Sequence, residues 1–198
     1  MDIYNQHGIK VEEGDTVIDI RAHIGIFSTY ASKLNKTGEI FAFEPFIENY
    51  KILEKHKLLN HCDNITVYNK AIAGSKGHKT LFLSPDNNTG GHSFHLKTQS
   101  DNKIEVDTIT LTEFCDNNKI KTIDFLKLDC EGAEFEIIQS DDSILNRVKK
   151  IIMECHPYQD NTVSSMVSLL ENKGFNVIRN QNLSDKETQM LYAKKNKN

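Results

Sequence analysis

Acidic side chains and one histidine follow four short apolar segments of this chain. Asp19 follows the first segment and Glu44 the second, while residues 129–134 and 154–156 follow two later ones. If the segments are parallel strands, their carboxyl ends meet at one edge of a sheet, where such folds bind ligands. Carboxylates and a histidine gathered there suit a reaction that moves a proton. The sequence therefore predicts one ligand site at this edge.

Glu44 has the position of a residue that binds a ribose. A carboxylate at the end of a second strand can accept hydrogen bonds from both ribose hydroxyls, although an acid beside the next helix could also be only structural. The glycine-rich G-x-G-x-x-G turn that binds a pyrophosphate does not occur between Asp19 and Gly25. A ligand with a ribose and no phosphate therefore fits better than a dinucleotide.

The acids after the later segments could position or deprotonate a nucleophile. Asp129 and Glu131 share one face while the chain remains extended. Glu134 could line the site or only stabilise the start of a helix. His156 is neutral at pH 7 if unperturbed and could then accept a proton, although a lone histidine is more often structural. Glu154 with Asp129 and His156 has the composition of a metal site, but the spacing does not require one and we predict none.

Alternating short apolar runs and helical periodicity predict an α/β fold. We expect strands at 16–20, 39–43, 64–68, 123–128, 148–153, 175–179 and 189–193, and helices at 24–34, 46–59, about 133–139 and 163–173. Strand–helix alternation indicates a doubly wound, mostly parallel sheet. We predict a single domain over 1–198, with a polar insert at about 70–111 that has alternating stretches at 79–83, 93–97 and 104–109 and an exposed, mobile loop at 86–91.

The composition favours a globular protein with small-molecule partners. The chain has 198 residues, 38% hydrophobic and 26% charged, with a formal net charge of −4, which argues against nucleic acid as the main partner. No apolar window is long enough to span a membrane, and we find no signal peptide. The four cysteines form no C-x-x-C pair; Cys130 and Cys155 are expected to be packing residues, and the protein to be cytoplasmic.

The motifs together resemble the FkbM-type branch of S-adenosylmethionine-dependent methyltransferases. The resemblance covers residues 14–157 and rests on G-D-T-V-I-D-I-x-A-H-I-G, F-E-P, I-D-F-L-K-L-D-C-E-G-A-E and M-E-C-H-P. It implies the class I methyltransferase fold, a Rossmann-like sheet with strand order 3-2-1-4-5-7-6 and an antiparallel last strand. It also implies methylation of a hydroxyl on a sugar or secondary metabolite, a small-molecule or glycan acceptor.

The resemblance also assigns roles to residues. Those implied to bind S-adenosyl-L-methionine are Asp19, Arg21, Ala22, His23, Gly25, Glu44, Pro45, Ala71 and Asp129. Glu44 would bind the ribose, Ala71 would lie near the adenine, and Asp129 near the methyl group. The implied catalytic residues are Asp129, Glu131 and His156, with Glu134 and Glu154 on the acceptor side. The insert would complete the acceptor pocket, with His92, Ser93 and His95 as contacts.

Arg21 departs from the family pattern, which has glycine at this position. Three interpretations stay open. The backbone keeps an ordinary φ and the side chain points away; or the side chain points inward and pairs with the cofactor carboxylate or Asp129; or it fills the pocket and leaves a binding or scaffolding domain that has lost activity. A different nucleotide-dependent Rossmann-type enzyme is disfavoured, because the phosphate loop is missing.

Overall fold

The computed structural model describes residues 3–84, 89–95, 102–179 and 182–196. Its elements along the chain are β1 (Val17–Ile20), α1 (Ile26–Leu34), β2 (Ile40–Phe43), α2 (Ile47–Leu59), β3 (Ile65–Tyr68), β4 (Ala71–Ile72), β5 (Gly77–Phe82), β6 (Lys103–Ile109), α3 (Leu111–Asn117), β7 (Ile123–Asp129), α4 (Glu134–Ser140), β8 (Val148–Cys155), α5 (Val163–Asn172), β9 (Phe175–Ile178) and β10 (Gln189–Lys195). Short 3-10 helices occur at Thr89–Gly91 and Asp142–Arg147.

The main sheet has seven strands in the order β3-β2-β1-β7-β8-β10-β9. β10 is antiparallel to both of its neighbours, and the other pairs are parallel. β4, β5 and β6 belong to a second, smaller sheet, in the order β4-β6-β5. They lie between β3 and β7 in the chain and so shift the numbers of the later strands of the main sheet. With those three left out, the main sheet has the predicted order 3-2-1-4-5-7-6, so the predicted α/β architecture is confirmed.

The central strands are apolar because both faces of the sheet are covered. All four residues of β1 and all four of β2 are buried, as expected for strands with helices on each side. The largest core cluster contains Phe43, Leu126 and Phe135, and a second cluster, on the opposite face of the sheet, contains Phe27 and Phe125. Because the central strands are buried on both faces, their carboxyl ends, where the acidic residues lie, are held in fixed positions.

The segment that precedes β1 lies against β8 and β10. The ammonium of Lys150 donates to Lys10 O at 3.0 Å and contacts carboxylate oxygens of Glu12 and Asp15 at 3.0 and 2.8 Å. The Tyr192 hydroxyl donates to Ile3 O at 3.2 Å. The Lys150 bonds hold residues 10–15 beside the amino end of β8, and the Tyr192 bond holds Ile3 beside the middle of β10. No helix in the described part of the chain is long and apolar enough to cross a membrane.

α3 is absent from the elements that the sequence analysis predicts. It spans only seven residues, too few for a convincing helical period, and Thr110 caps it by accepting from the Glu113 amide at 3.1 Å. The T-x-x-E spacing of Thr110 and Glu113 is a capping signal that could have identified this helix. The first helix, α1, begins later than predicted, at Ile26 instead of residue 24, because Gly25 stands at its N-cap with φ 85°.

Two of the alternating stretches in the segment 70–111 form an antiparallel pair, β5 with β6. In the third, Ser93 makes a single bridge to Phe82, while residues 96–97 lie outside the described part. Residues 86–88 of the predicted exposed loop also lie outside it. The loop's remaining residues, Thr89–Gly91, are half-buried, so the expectation of exposure is wrong for them.

We expect Gly25→Ala to destabilise the protein more than Gly8→Ala. Both glycines have positive φ, 85° and 73°, so alanine is strained at each. A Cβ at Gly25 would stand 2.7 Å from Leu53 Cγ, whereas a Cβ at Gly8 would meet nothing within 4 Å. Overpacking of this kind costs about 1–3 kcal/mol. Urea unfolding of both variants measures the difference; equal losses of stability would contradict the steric explanation.

Candidate functional site

The turn after β1 adopts a left-handed backbone at three positions. Arg21 has φ 63°, His23 has φ 53° and Gly25 has φ 85°. A left-handed conformation costs an ordinary L-residue about 1–2 kcal/mol. The interpretation that Arg21 keeps an ordinary φ is therefore wrong. The backbone needs what glycine would supply, and the arginine adopts it at a cost.

The Arg21 side chain points into the site and is only 14% exposed. Nη1 donates to Asp129 O at 3.1 Å, and Nη2 donates to His92 O at 2.7 Å and to Gly90 O. Hydrogen bonds with a charged partner are about twice as strong as neutral ones. The guanidinium thus offsets the backbone strain by joining the end of β7 to the segment 89–95, and the interpretation that it points away is wrong.

Two carboxylates face the same guanidinium. Nη1 lies 3.8 Å from Asp129 Oδ1 and 3.5 Å from Glu131 Oε1. Glu131 has φ 51° and the following Gly132 has φ 101°, so the chain has left the extended conformation by then. The assumption that Asp129 and Glu131 share a face of one extended strand is wrong. The turn nevertheless brings both to Arg21.

A buried ion pair lies beneath the turn. Asp19 is fully buried; one carboxylate oxygen accepts from Ser28 Oγ at 2.6 Å and the other lies 3.2 Å from Lys127 Nζ. Lys127 also donates to Arg21 O at 3.0 Å and approaches Asp129 at 3.9 Å. Burial lowers the pKa of Lys127, but Asp19 and Asp129 outweigh this and raise it. The ammonium therefore holds the turn in place.

Glu44 joins the turns that follow β1 and β2. It is 3% exposed; Oε2 accepts from the His23 amide at 2.8 Å and Oε1 from the Phe46 amide at 3.0 Å. Burial raises its pKa, although these backbone bonds oppose the shift. Each carboxylate oxygen has about two acceptor sites. Glu44 is thus structural and still able to accept from two hydroxyls.

His156 is surrounded by carboxylates. Nδ1 lies 3.2 Å from Glu134, and Nε2 lies 3.4 Å from Glu131 and 3.9 Å from Glu154. Burial lowers the pKa of His156, but the three carboxylates outweigh it and raise the pKa to about 9. The expectation of a neutral ring at pH 7 is wrong, because it rested on an unperturbed histidine.

Glu134 is fully buried and organises the turn after β7. Its oxygens accept from the Cys130 amide at 2.6 Å and the Gly132 amide at 3.0 Å. These contacts support the alternative that Glu134 stabilises the turn at the start of α4. Burial raises the pKa of the neighbouring Cys130 thiol and raises that of Cys155 to about 12, which agrees with packing roles.

Side-chain ligand atoms of Asp129, Glu154 and His156 lie within 4.8 Å of one another, close enough to share a cation. Exposed acidic groups often lie this close without one. His156 and Arg21 already supply positive charge to these carboxylates. A cation there would have to displace the proton of His156, so we propose no metal.

A small apolar cavity lies between the turn after β1 and the segment 89–95. It has a volume of about 20 Å³ and is lined by Ile20, Arg21, Pro45, Ala71, His92 and Phe94, among others. His92 is 5% exposed; its Nδ1 accepts from the Ser84 amide at 3.0 Å, which leaves the ring proton on Nε2. That Nε2 is a buried donor without a partner in the described residues.

Comparison with known proteins identifies the family. Residues 19–177 match the model of the "Methyltransferase FkbM domain". The chain belongs to this family. It is an S-adenosylmethionine-dependent methyltransferase, as the named methyltransferases and the solved structures below also indicate.

Relatives of this FkbM-family protein include methyltransferases of small molecules. The 31-O-demethyl-FK506 methyltransferase FkbM of Streptomyces tacrolimicus is 25% identical over 90% of this chain and 79% of its own. The hexuronic acid methyltransferase AglP of Haloferax volcanii is 24% identical over 74% of this chain and 58% of its own.

Solved structures share the fold. A precorrin-6y C5,15-methyltransferase from Geobacter metallireducens aligns with TM-score 0.53 at 17% identity, over 92% of this chain and 82% of its own. A SAM-dependent methyltransferase from Aquifex aeolicus aligns with TM-score 0.51 at 15% identity, over 92% and 83%.

The structure of this FkbM-family protein gathers most of the predicted site residues at one sheet edge. Arg21 contacts Asp129 and Glu131, His23 is bonded to Glu44, and Pro45 and Ala71 line the same cavity. Ala22 donates its amide to Phe43 O at 2.8 Å and is itself buried. The sequence analysis assigned no role to Lys127. Lys127 lies two residues before Asp129 on β7, so both side chains point to the same face of the sheet, and this spacing could have identified it.

The predicted contacts in the insert lie near the cavity and the turn after β7. Ser93 is 1% exposed and donates from Oγ to Glu131 O at 2.8 Å. His95 stacks on Tyr158 with ring centroids 4.9 Å apart. Because His92 and Ser93 are buried on the side of Pro45 and Ala71, their placement does not support the expectation that they contact an acceptor.

Replacing Arg21 is expected to loosen the segment 89–95. Arg21→Gly and Arg21→Asn both tolerate a left-handed backbone and remove the donors to Gly90 O and His92 O. We expect amide hydrogen exchange at Ser93, whose N–H bonds to Phe82 O, to become at least about tenfold faster, because each lost charged hydrogen bond contributes about 1.5–3 kcal/mol. Arg147→Ala, which breaks a distant pair with Asp116, serves as the control. Unchanged exchange in the Arg21 variants would show that the guanidinium does not hold the segment.

The stability that His156 contributes is expected to fall with rising pH. Its folded pKa of about 9 exceeds its ordinary value of 6.5, so its contribution, at most about 3 kcal/mol, is complete below pH 6.5 and is lost as the pH rises through 9. Glu131, Glu134 and Glu154 are the carboxylates that face it. Urea unfolding should therefore show a larger cost of His156→Gln at pH 6.5 than at pH 10. The exposed His78→Gln is the control, and a cost independent of pH would refute the assigned charge.

Proposed function

We propose that this methyltransferase transfers a methyl group to a hydroxyl oxygen of a sugar or a secondary metabolite. The observation that carries the proposal is the pairing of Asp129 with Glu154 across β7 and β8 at the ligand-binding edge. It provides carboxylates for a nucleophile that must lose a proton. The names of the relatives, a 31-O-demethyl-FK506 methyltransferase and a hexuronic acid methyltransferase, support a hydroxylated small molecule.

The chemistry of the site residues fits S-adenosylmethionine, which supplies an electrophilic methyl group on a sulfonium. We assign Glu44 to the ribose hydroxyls, and the apolar walls at Pro45 and Ala71 to the adenine. The unpartnered His92 Nε2 is a donor available in that cavity. Asp19, Ala22, His23 and Gly25 shape the turn, while Arg21 and Asp129 serve the methionine end.

The cavity has too little volume for a cofactor in this conformation. Ligand pockets usually measure about 300–1,000 Å³, whereas this cavity has room for about one water molecule. Because Arg21 holds the segment 89–95 across it, binding requires those hydrogen bonds to open. A cofactor carboxylate is a stronger acceptor for a guanidinium than two carbonyls. It can therefore replace Gly90 O and His92 O as the partner of Arg21.

We assign the acceptor's proton to Glu154. Burial raises its pKa first and Asp129 raises it further, yet the side chain is 41% exposed. A carboxylate with a raised pKa is a better base near neutral pH, and a positioned base contributes about 10²–10⁴-fold. His156 is protonated at neutral pH, so it cannot accept the proton of the acceptor. Its positive charge instead stabilises the carboxylates of Glu131 and Glu154. Bound S-adenosylmethionine would supply the methyl group, and Glu154 would receive the proton that the acceptor hydroxyl loses as its oxygen is methylated.

A second candidate function is a scaffolding domain without methyl transfer. The small cavity closed by Arg21 is the specific observation that favours it. The two functions differ in whether the protein binds S-adenosylhomocysteine or S-adenosylmethionine at all.

Cofactor binding should depend on Glu44. At about 100-fold over its Kd, S-adenosylhomocysteine should stabilise the wild type by about 2.7 kcal/mol, which raises the Tm by roughly 5–10 °C. We expect Glu44→Gln to lose most of this shift, because an amide replaces one of the two carboxylate oxygens. Glu39→Gln, an exposed residue just before the other end of β2, is the matched control. No shift in the wild type or in Arg21→Gly at millimolar ligand would favour the scaffolding function; a shift only in Arg21→Gly would identify the arginine as the block.

A further inference from the structure

A larger groove borders Glu154 and shares no lining residue with the small cavity beside Arg21. It has a volume of about 490 Å³, in the range of small-molecule sites. Its walls come from the segment before β1, the end of β8 and the β9–β10 connection, and include Gln6, His7, Glu154, Arg179, Leu183 and Gln189. The bond from the Tyr192 hydroxyl to Ile3 O and the edge contact between the His7 and Tyr192 rings, whose centroids are 5.1 Å apart, hold the first of these walls against β10.

Gln189, the first residue of β10, lines this groove and carries a buried polar atom without a partner in the described residues. The side chain is 2% exposed, and its Nε2 donates to Ser184 O at 2.8 Å. Its Oε1 has no hydrogen-bond partner in the described part of the chain. Buried polar atoms are almost always hydrogen-bonded in native proteins, so an unpaired acceptor beside a groove indicates a missing donor. A ligand hydroxyl is such a donor.

Glu154 connects the groove to the reaction centre. A second, narrow cavity of about 20 Å³ is lined by Tyr4, Lys127, Asp129, Glu154 and Met190, and it shares Glu154 and Met190 with the groove. Asp129 and Glu154 are register partners on adjacent strands. A molecule seated in the groove therefore lies beside the carboxylate that faces Asp129.

The other polar groups of the groove suit a hydroxylated ring. Arg179 binds Asp185 through Nη1 at 2.6 Å, and its remaining guanidinium N–H groups are donors. Gln6 and His7 add amide and imidazole groups, while Leu183, Met190 and Tyr192 provide an apolar wall. A lining that combines polar groups with apolar surface suits a sugar ring, which presents both hydroxyls and C–H groups.

We propose that this groove is the acceptor site, that it takes a monosaccharide-type polyol, and that Gln189 Oε1 accepts from one of its hydroxyls while another lies at Glu154. This inference rests on the proposed methyl transfer. It places the acceptor between the first segment of the chain and β10, rather than in the insert, whose His92 and Ser93 are buried beside the cofactor cavity.

The test uses the full chain, S-adenosylmethionine with a tritiated methyl group, and a pool of hexoses, hexuronic acids and their methyl glycosides. S-adenosylhomocysteine binding is measured in parallel. Label should enter the pool. Gln189→Leu should raise the KM for the methylated sugar roughly three- to tenfold, the loss expected of one hydrogen bond, and leave cofactor affinity unchanged.

Leu183→Trp provides a second variant, should Gln189→Leu fail to fold. Leu183 is 38% exposed, so the larger side chain enters the groove without disturbing the core; transfer should fall at least tenfold. Leu58→Trp, at a 69% exposed position of α2, is the matched control. No cofactor binding would overturn the proposed function itself. Cofactor binding without transfer to any sugar of the pool would overturn the acceptor class, and normal transfer by Leu183→Trp would overturn the groove.

Discussion

The site depends on the pairing of buried charge at the carboxyl edge of the sheet. Carboxylates removed from water need cations or hydrogen-bond donors, because an unpaired buried charge is strongly destabilising. Here Lys127 pairs with Asp19, Arg21 with Asp129 and Glu131, and His156 with Glu134. Glu44 and Glu134 also take backbone amides from the turns around them. The turns that shape the ligand site are therefore fixed by the same groups that carry its charge.

This pairing explains how arginine can occupy a position that needs a left-handed backbone. The strain of φ 63° is local and of the order of 1–2 kcal/mol. The guanidinium gains three carbonyl acceptors, on Gly90, His92 and Asp129, and stands between two carboxylates. The sum favours the observed conformation. The same bonds hold the segment 89–95 over the small cavity beside Arg21, so that the cavity is closed in this conformation.

The architecture could be predicted from the sequence, whereas the charge of His156 and the direction of the Arg21 side chain could not. Strand ends are marked by Asp19, Glu44 and Asp129, and parallel topology alone brings such residues to one edge. The charge of His156 depends on Glu134, which a turn with two left-handed residues carries back to it. Local sequence does not specify that return. The inward direction of Arg21 likewise depends on carbonyls about seventy residues away in the chain.

The acidity of the site constrains what its carboxylates can do for methyl transfer. A sulfonium is positively charged before transfer and neutral afterwards, so carboxylates near it stabilise the bound cofactor more than the transition state. Interactions of that kind improve binding and do not accelerate the reaction. Arg21 and Lys127 partly cancel this effect at Asp129. In the proposed reaction, Glu154, which borders the groove, would gain its advantage from a different change: the acceptor hydroxyl becomes more acidic as its oxygen bonds to the methyl group. A carboxylate whose pKa is raised by burial and by Asp129 is best used at that step.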